Sequence, residues 1–349
     1  MSRRTGAQIL VDQLKIHGAD TVFCVPGESY LAVLDALYDA NSIDLVTCRQ
    51  EGGATMMADA YGKLTGRPGI SMVTRGPGAT NAGAGLHVAM QDSTPLILFI
   101  GQVARATMER EAFQELDYRR MFGQLAKWVA EIDDPRRIPE FLSRAFHTAT
   151  GGRPGPVVLA LPEDMLTELA DVVDAQPYVP VETWAGEAPM ARLRQMLGAA
   201  RRPFLLLGGS AWDAEGVAAI ERFAAASKLP VGCGFRRQDR FDNTHPCYAG
   251  DVGIGINPKL AQRVRESDLL IAVGPRLGEM TTGGYTLFDI PTPKQPLVHV
   301  HADPEELGRV YQPRLAINAT PRAFARQAAA LPPVENPVWA AATAAAHQD

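Results

Sequence analysis

The carboxylate most able to do chemistry in this sequence is Glu51, within Arg49-Gln50-Glu51-Gly52-Gly53-Ala54. The apolar segment Ile43 to Cys48 before it predicts a strand, and the small residues from Ala54 to Tyr61 predict a helix. A glutamate at the end of such a strand lies at the sheet edge where α/β folds bind ligands. If it is buried there, it needs a partner or takes up a proton. The alternative is a glutamate that faces solvent or caps the next helix.

Two glycine turns follow other predicted strands. Val25-Pro26-Gly27 ends the strand that begins at Thr21, and Thr74-Arg75-Gly76-Pro77-Gly78-Ala79-Thr80-Asn81 follows the strand Ile70 to Val73. Glycine lets the backbone approach a ligand closely, proline stiffens a turn, and Asn81 offers both a donor and an acceptor. The alternatives are an ordinary strand-to-helix turn for the first and a helix-capping turn for the second, which is compatible with binding.

The elements that must position these residues alternate between helix and strand. We predict two doubly wound α/β domains with mainly parallel sheets: 1–170, a proline-rich linker 171–190, and 191–331. An alanine-rich tail, 332–349, carries little recognisable packing surface. The predicted elements are a helix from Thr5 to His17, strands at 21–25, 70–73, 96–100 and 157–161, then strands at 204–207, 230–233, 269–273 and 297–301 with a helix at 215–226.

Composition excludes several classes of function. The 349 residues are 46% hydrophobic, enough for two cores, and 34 basic against 39 acidic residues give a net charge of −5. No basic block resembles a nucleic-acid track, and no segment is long and apolar enough to cross a bilayer. His87, His299 and His301 form no metal triad, and the four cysteines lack metal-ligand spacing. We expect a cytoplasmic protein without nucleic acid, membrane or bound metal of its own.

In their order, these motifs resemble the pyrimidine-binding domain of the thiamine-diphosphate enzymes, in the branch with acetolactate synthase, pyruvate oxidase and benzoylformate decarboxylase. The resemblance covers nearly the whole chain, since the second domain is similar to that family's middle domain. The motifs that carry it are Val25-Pro26-Gly27, the Glu51 segment, Gly76 to Asn81, Asp92 to Ile97 with Gly101-Gln102, Phe113-Gln114-Glu115 and Leu161-Pro162-Glu163-Asp164.

The resemblance implies roles for individual residues. In that family the glutamate at the position of Glu51 hydrogen-bonds the pyrimidine ring and helps to remove the thiazolium C2 proton, so that a 2-oxo acid can be attacked. Glu51, Glu28 and Gln114 are therefore the predicted catalytic residues. The predicted cofactor-binding residues are Pro26, Gly27, Glu51, Thr74, Pro77, Gly78, Asn81, Phe113 and Arg276.

Two positions depart from the family pattern. Glu28 stands where relatives often carry Gly, Ser or Asp, and it is either a second acid or base or a residue that favours the positive end of the following helix. Arg75 stands where acetolactate synthases usually have serine, which leaves the substrate open.

Phe113 and Gln114 match residues that reach from one subunit into the active site of another, and a surface amphipathic helix is the alternative.

The family's third domain binds the diphosphate and Mg²⁺ through a Gly-Asp-Gly motif. The nearest string here is Gly250-Asp251-Val252-Gly253, so we expect the diphosphate-binding domain to be absent from this chain. Arg276, in Gly274-Pro275-Arg276, stands where flavin-binding relatives contact FAD, and it permits a flavin without requiring one.

The resemblance therefore implies part of an acetolactate-synthase-like enzyme that decarboxylates a 2-oxo acid and transfers the resulting acyl group. It would act as a homodimer or tetramer and need thiamine diphosphate and a diphosphate-binding domain, supplied by a separate subunit or by the remainder of a longer chain. Two alternatives stay open. One is a noncatalytic protein that regulates a full-length relative, and the other is a nucleotide-binding protein that acts through the second domain alone.

Overall fold

The computed structural model describes residues 3–349, which divide into a unit that ends at Val181 and a second unit, Glu182–Asp349. The division falls within the predicted linker. Each unit contains one sheet of six strands, and every pairing within these two sheets is parallel. The predicted α/β fold class, with two mainly parallel sheets, is confirmed.

In the first unit the sheet order is β3-β2-β4-β5-β7-β6, and β1 pairs with β8 in a separate antiparallel ribbon. The strands are β1 Arg4–Thr5, β2 Thr21–Cys24, β3 Asp44–Thr47, β4 Gly69–Val73, β5 Leu96–Gln102, β6 Trp128–Glu131, β7 Pro156–Pro162 and β8 Leu169–Ala170. The helices are α1 Gly6–Ile16, α2 Leu31–Tyr38, α3 Glu51–Thr65, α4 Pro77–Asp92, α5 Tyr118–Phe122, α6 Ile138–Thr150 and α7 Glu163–Thr167.

The central strands β4, β5 and β7 are buried along their whole length, as expected for apolar runs covered on both faces. Because all six strands are parallel, their carboxyl ends lie along one edge of the sheet. Glu51 does not end a strand, in contrast to the expectation. β3 stops at Thr47, and Glu51 is the first residue of α3, because the Gln50 side chain caps that helix by accepting a 2.7 Å hydrogen bond from the Gly53 amide.

In the second unit the sheet order is β11-β10-β9-β12-β13-β14. The strands are β9 Pro203–Leu207, β10 Val231–Gly234, β11 Tyr248–Val252, β12 Leu269–Val273, β13 Leu297–His301 and β14 Leu315–Asn318. The helices are α8 Glu187–Ala199, α9 Ala214–Ser227, α10 Pro258–Arg265, α11 Pro321–Ala329 and α12 Ala340–Gln348. Among the helices of residues 3–349, none combines the length and the apolar character that a bilayer crossing requires.

The alanine-rich tail packs against the second unit, which differs from the expectation of little packing surface. Trp339, just before α12, is 3% exposed and joins the core of this unit. Its indole Nε1 donates a 3.0 Å hydrogen bond to the Ser227 carbonyl, and Thr343 donates one of 2.8 Å to the Lys228 carbonyl. A single aromatic residue therefore supplies the apolar surface that the alanines lack.

We expect Trp339→Ala to destabilise the second unit by about 3 to 5 kcal/mol, because it leaves a cavity and an unpaired Ser227 carbonyl. The measurement is urea unfolding followed by far-UV circular dichroism. The neighbouring Val338 is 73% exposed, so Val338→Ala is the matched control and should change the free energy of unfolding by less than about 0.5 kcal/mol. Equal effects of the two substitutions would contradict a packing role for the tail.

Candidate functional site

The segments that carry the predicted site residues meet at the carboxyl edge of the first unit's sheet. The turn after β4 lies at the centre of these contacts. It directly contacts the turn after β2, the start of α3, the loop after β5 and the residue that follows β7. In sequence order these segments are 25–29, 49–52, 74–81, 113–118 and 163. The structure therefore brings together the predicted site residues of the first unit except Pro26 and Pro77, which are exposed and for which no such contact is described.

Glu51 is held by a neutral side chain. The Asn81 amide Nδ2 donates a 3.0 Å hydrogen bond to Glu51 Oε2, and the other carboxylate oxygen faces Gly78, where an added Cβ would lie 3.5 Å from it. Thr55 donates a 2.8 Å hydrogen bond to the Glu51 carbonyl. The positive end of α3 favours a negative charge at this first helical position. Glu51 is only partly buried, so its carboxylate has a fixed position and remains reachable.

Gly27 and Gly78 pack directly against the side chain of Thr74. A Cβ on Gly27 would lie 2.5 Å from Thr74 Cβ, and one on Gly78 would lie 2.8 Å from Thr74 Cγ2. Gly27 has an extended backbone with a φ of −150°, so space and not conformation requires glycine there. The Thr74 hydroxyl also shares a 2.8 Å hydrogen bond with the hydroxyl of Ser29. Close packing of these two turns therefore needs both glycines whatever ligand binds.

Gly76 meets the loop after β5. Its backbone has a φ of 58° and a ψ of −115°, and a Cβ would lie 2.7 Å from Gln114 Cβ. Its amide donates a 3.1 Å hydrogen bond to the hydroxyl of Tyr118, and burial raises the pKa of Tyr118 to about 12, so this hydroxyl stays neutral. Pro77 then opens α4 at a position that suits proline. No sequence signal distinguishes Tyr118, the first residue of α5, from the other aromatic residues of this unit.

Arg75 is buried and connects three segments. Its Nε donates a 3.1 Å hydrogen bond to the Phe113 carbonyl, while its terminal nitrogens lie 3.2 Å from Glu163 Oε2 and 3.3 Å from Glu28 Oε1. Glu28 is thus an ion-pair partner of Arg75 and begins a short 3₁₀ turn, while its side chain stays 65% exposed. The motif that contains Glu163 does not predict this contact, because its partner lies far away in sequence.

Phe113 and Gln114 lie in an irregular loop. No helix forms between residues 108 and 117, so the alternative of a surface amphipathic helix does not hold. Phe113 is 72% exposed, and Gln114 has a φ of 65°, a strained conformation for a residue with a side chain. The loop therefore presents an aromatic ring outward on a strained backbone.

In the second unit, Arg276 follows β12 and contacts a carboxylate of the chain itself. Its Nε lies 3.2 Å from Glu306 Oε1, and Glu306 is 5% exposed and also receives a 2.8 Å hydrogen bond from Arg309. Within residues 3–349, no group of three or more His, Cys, Asp or Glu side chains could hold a metal ion.

Comparison with known proteins identifies two matching family models. Residues 4–121 match the thiamine pyrophosphate enzyme, N-terminal TPP binding domain, and residues 190–328 match the thiamine pyrophosphate enzyme, central domain. Together these models cover most of the chain, one in each structural unit.

Several curated relatives are acetolactate synthases. Acetolactate synthase isozyme 2 large subunit of Escherichia coli (strain K12) is 35% identical over 312 residues, which cover 89% of this chain and 56% of the relative. The acetolactate synthase large subunit of Corynebacterium glutamicum is 34% identical over 324 residues, with 90% and 50% covered. The probable acetolactate synthase large subunit of Methanocaldococcus jannaschii is 32% identical over 312 residues, with 87% and 52% covered. The chain spans about half the length of these relatives.

We expect Gly76→Ala to destabilise the first unit by about 3 kcal/mol, because the methyl group adds a collision with Gln114 to the cost of a positive φ. The matched control is Gly66→Ala. Gly66 ends α3 with a φ of 70° and has open space where a Cβ would be, so only the backbone cost of about 1 kcal/mol remains. Thermal and urea unfolding measure both, and equal losses would show that Gln114 does not pack against this turn.

Proposed function

Because the chain belongs to the thiamine pyrophosphate enzyme family, we propose that its first unit supplies the pyrimidine side of a thiamine diphosphate site, with Glu51 as the activating carboxylate. The observation that carries this proposal is the Glu51 carboxylate at the carboxyl edge of a parallel sheet, held by Asn81 and still reachable. Ligands of α/β folds bind at this edge.

The residues present suit such a coenzyme. Bound thiamine diphosphate supplies a carbon nucleophile for 2-oxo acids. Glu51 would hold or release a proton at a ring nitrogen, and Asn81 would keep its carboxylate oriented during that exchange. Thr74, Pro77 and Gly78 would line the approach. Because Gly78 packs closely on Thr74, residue 78 cannot carry a side chain, and the space beside Glu51 Oε1 stays open.

We propose that the reaction is decarboxylation of a 2-oxo acid followed by transfer of the acyl group, a lyase or transferase activity. The named relatives are acetolactate synthases, which supports this class of substrate. Glu28 and Gln114 are the further side chains we place at this site. Glu28 is exposed enough to contact a substrate while Arg75 pairs with one of its oxygens.

The diphosphate and its Mg²⁺ require other residues. At the sheet edge, Glu28, Glu51 and Glu163 are acidic, and the buried cation Arg75 already contacts two of them. An anionic diphosphate would meet these three carboxylates, and Arg75 would have to give up a partner to bind it. We propose that a diphosphate-binding part, on the same polypeptide or on a separate subunit, completes the active site.

We also propose that the first unit pairs with a second copy through the exposed faces of α3 and α4. Met56, Ala60 and Leu64 recur at helical spacing along α3, and all three are exposed. Ala84 is exposed on α4, the helix that packs against α3. An apolar stripe of this kind is typical of an interface. Pairing with a full-length relative through the same stripe is the noncatalytic alternative.

A flavin bound at Arg276 would have to compete with a carboxylate of the chain itself. Glu306 is 5% exposed and its Oε1 lies 3.2 Å from Arg276 Nε, so a flavin diphosphate at Arg276 would have to displace a buried carboxylate. Separating a buried charge from its partner is costly. FAD therefore stays a second candidate ligand of the central domain, without a described contact that favours it.

We expect Glu51→Gln to lower turnover of a 2-oxo acid by about 10²- to 10⁴-fold, because the amide cannot exchange the proton at the coenzyme ring. The assay uses this chain together with a diphosphate-binding part of an acetolactate-synthase-like enzyme, thiamine diphosphate and Mg²⁺. Glu140→Gln is the matched control, because Glu140 lies exposed on α6 in a surface pair with Arg137. It should leave turnover unchanged.

Turnover within threefold of the wild type in the Glu51→Gln variant would contradict a role in activation. A wild-type chain that binds a full-length relative but adds no turnover dependent on Glu51 would favour the noncatalytic alternative.

We expect Met56→Asp to convert a self-associating chain to monomers, because a charge in the centre of an apolar interface loses its hydration. Sedimentation velocity measures the change. Val179→Asp is the control, since Val179 is 73% exposed and lies outside the α3 and α4 stripe. A wild-type chain that stays monomeric at high micromolar concentration would rule out pairing through this face.

A further inference from the structure

The loop after β5 is held in a strained conformation. Glu109, Glu111 and Gln114 have φ angles of 60°, 57° and 65°, three positive values within six residues that are not glycine. Such conformations persist only where surrounding contacts fix them, and they concentrate at functional sites. The contacts that fix this loop therefore identify residues that matter for whatever Phe113 and Gln114 do.

One set of contacts lies within the loop. The Glu115 carboxylate accepts a 2.6 Å hydrogen bond from the Glu109 amide and one of 3.0 Å from the Ala112 amide, and the Glu115 amide donates one of 3.0 Å to the Ala112 carbonyl. These bonds shape the turn. They do not attach it to the sheet, since all three partners belong to the loop.

A second set attaches the loop to the unit. Gln102 Nε2 donates a 3.0 Å hydrogen bond to the Leu116 carbonyl, the Gly76 amide donates one to Tyr118, and Arg75 Nε donates one of 3.1 Å to the Phe113 carbonyl. Of these three, only Arg75 donates a hydrogen bond to the tip Phe113–Gln114, while Gly76 packs against Gln114 without one. Arg75 is also the only charged donor among them, and charge-assisted hydrogen bonds are the stronger kind.

The fork geometry of the guanidinium suits this position. Two nitrogens of Arg75 face Glu28 and Glu163, which lie on different segments, and the third faces the Phe113 carbonyl. The three donor nitrogens of arginine lie apart in one plane and can meet three separate acceptors, whereas the three donors of lysine all lie on one nitrogen. The carboxylates offset the buried positive charge, and the Nε bond fixes the loop.

We propose that Arg75 is a positioning residue, which anchors the Phe113–Gln114 tip against the Gly76 turn and uses Glu28 and Glu163 as its counter-charges. The role of that tip in catalysis rests on the proposed function. The anchor itself rests only on the contacts above.

Hydrogen–deuterium exchange of the 349-residue chain tests the anchor directly. In Arg75→Ser the amides of Ala112 and Glu115 should exchange roughly tenfold faster, which corresponds to about 1.4 kcal/mol, because the tip loses its charged donor. Compared with Arg75→Ser, the Arg75→Lys variant should recover most of the free energy of unfolding. The amides of Ala112 and Glu115 should still exchange faster than in the wild type. Amides in the buried strand β5 should stay protected in both variants, which separates local release from unfolding.

Arg105→Ser is the matched control. Arg105 also has two carboxylate partners, Asp164 and Glu168, and also donates to a carbonyl, that of Asp133, but it does not contact the tip. It should leave exchange at Ala112 and Glu115 within about twofold of the wild type. Equal exchange in the wild type and Arg75→Ser would overturn the proposal.

The double variant Arg75→Ser with Glu163→Gln separates two causes of release. If faster exchange comes from the lost Nε bond, the double variant keeps it. If protection returns, repulsion between the uncompensated carboxylates was the cause, and the anchor is contradicted.

An activity measurement connects the anchor to the proposed function. In the reconstituted assay Arg75→Ser should lower kcat/KM for the 2-oxo acid by about tenfold, whereas Arg105→Ser should not. An inactive wild-type chain would count against the proposed function, while the exchange result would still decide the role of Arg75. Full activity of Arg75→Ser with a released tip would show that the anchor has no catalytic consequence.

Discussion

The site in the first unit depends on the packing of Thr74, which begins the turn after β4, against the turn after β2. Thr74 fills the space that side chains at Gly27 and Gly78 would occupy, and its hydroxyl bonds that of Ser29. This contact fixes the turn after β2 against the turn after β4, and the next residue along, Arg75, then points toward the loop after β5. Since protein interiors are close-packed, a small shift of Thr74 would displace several segments of the candidate site together.

The three glutamates at the carboxyl edge of this sheet have different partners. Glu28 and Glu163 share the cation Arg75, whereas the hydrogen-bonding side chain on Glu51 is the neutral amide of Asn81. Glu28 and Glu163 are therefore committed to an ion pair, whereas the described contact of the Glu51 carboxylate is a hydrogen bond from a neutral amide.

The sequence predicted the buried strands well but missed three of the four strands at the ends of the two sheets, β3 being the exception. β12 and β13 were predicted with their observed bounds, because an apolar run covered on both faces is a clear signal. β6, β11 and β14 were not predicted, and all three lie at the end of a sheet, where the alternation is mixed and the strand is only partly buried. The helix was predicted to begin at Ala54, whereas α3 begins at Glu51. The cap by the Gln50 side chain is a single contact, which the spacing of apolar residues does not indicate.

For the site, the motifs predicted which segments matter but not what each residue contacts. The Glu51–Asn81 pair joins residues from two different motifs, and the partners of Arg75 lie 38, 47 and 88 positions away in sequence. No local pattern contains such distances, so the sequence marks Arg75 only as a departure from serine. The sequence also attributed Gly27 to a ligand, whereas its first neighbour is Thr74. The contact with Thr74 alone requires glycine at this position, because a side chain on residue 27 would collide with it.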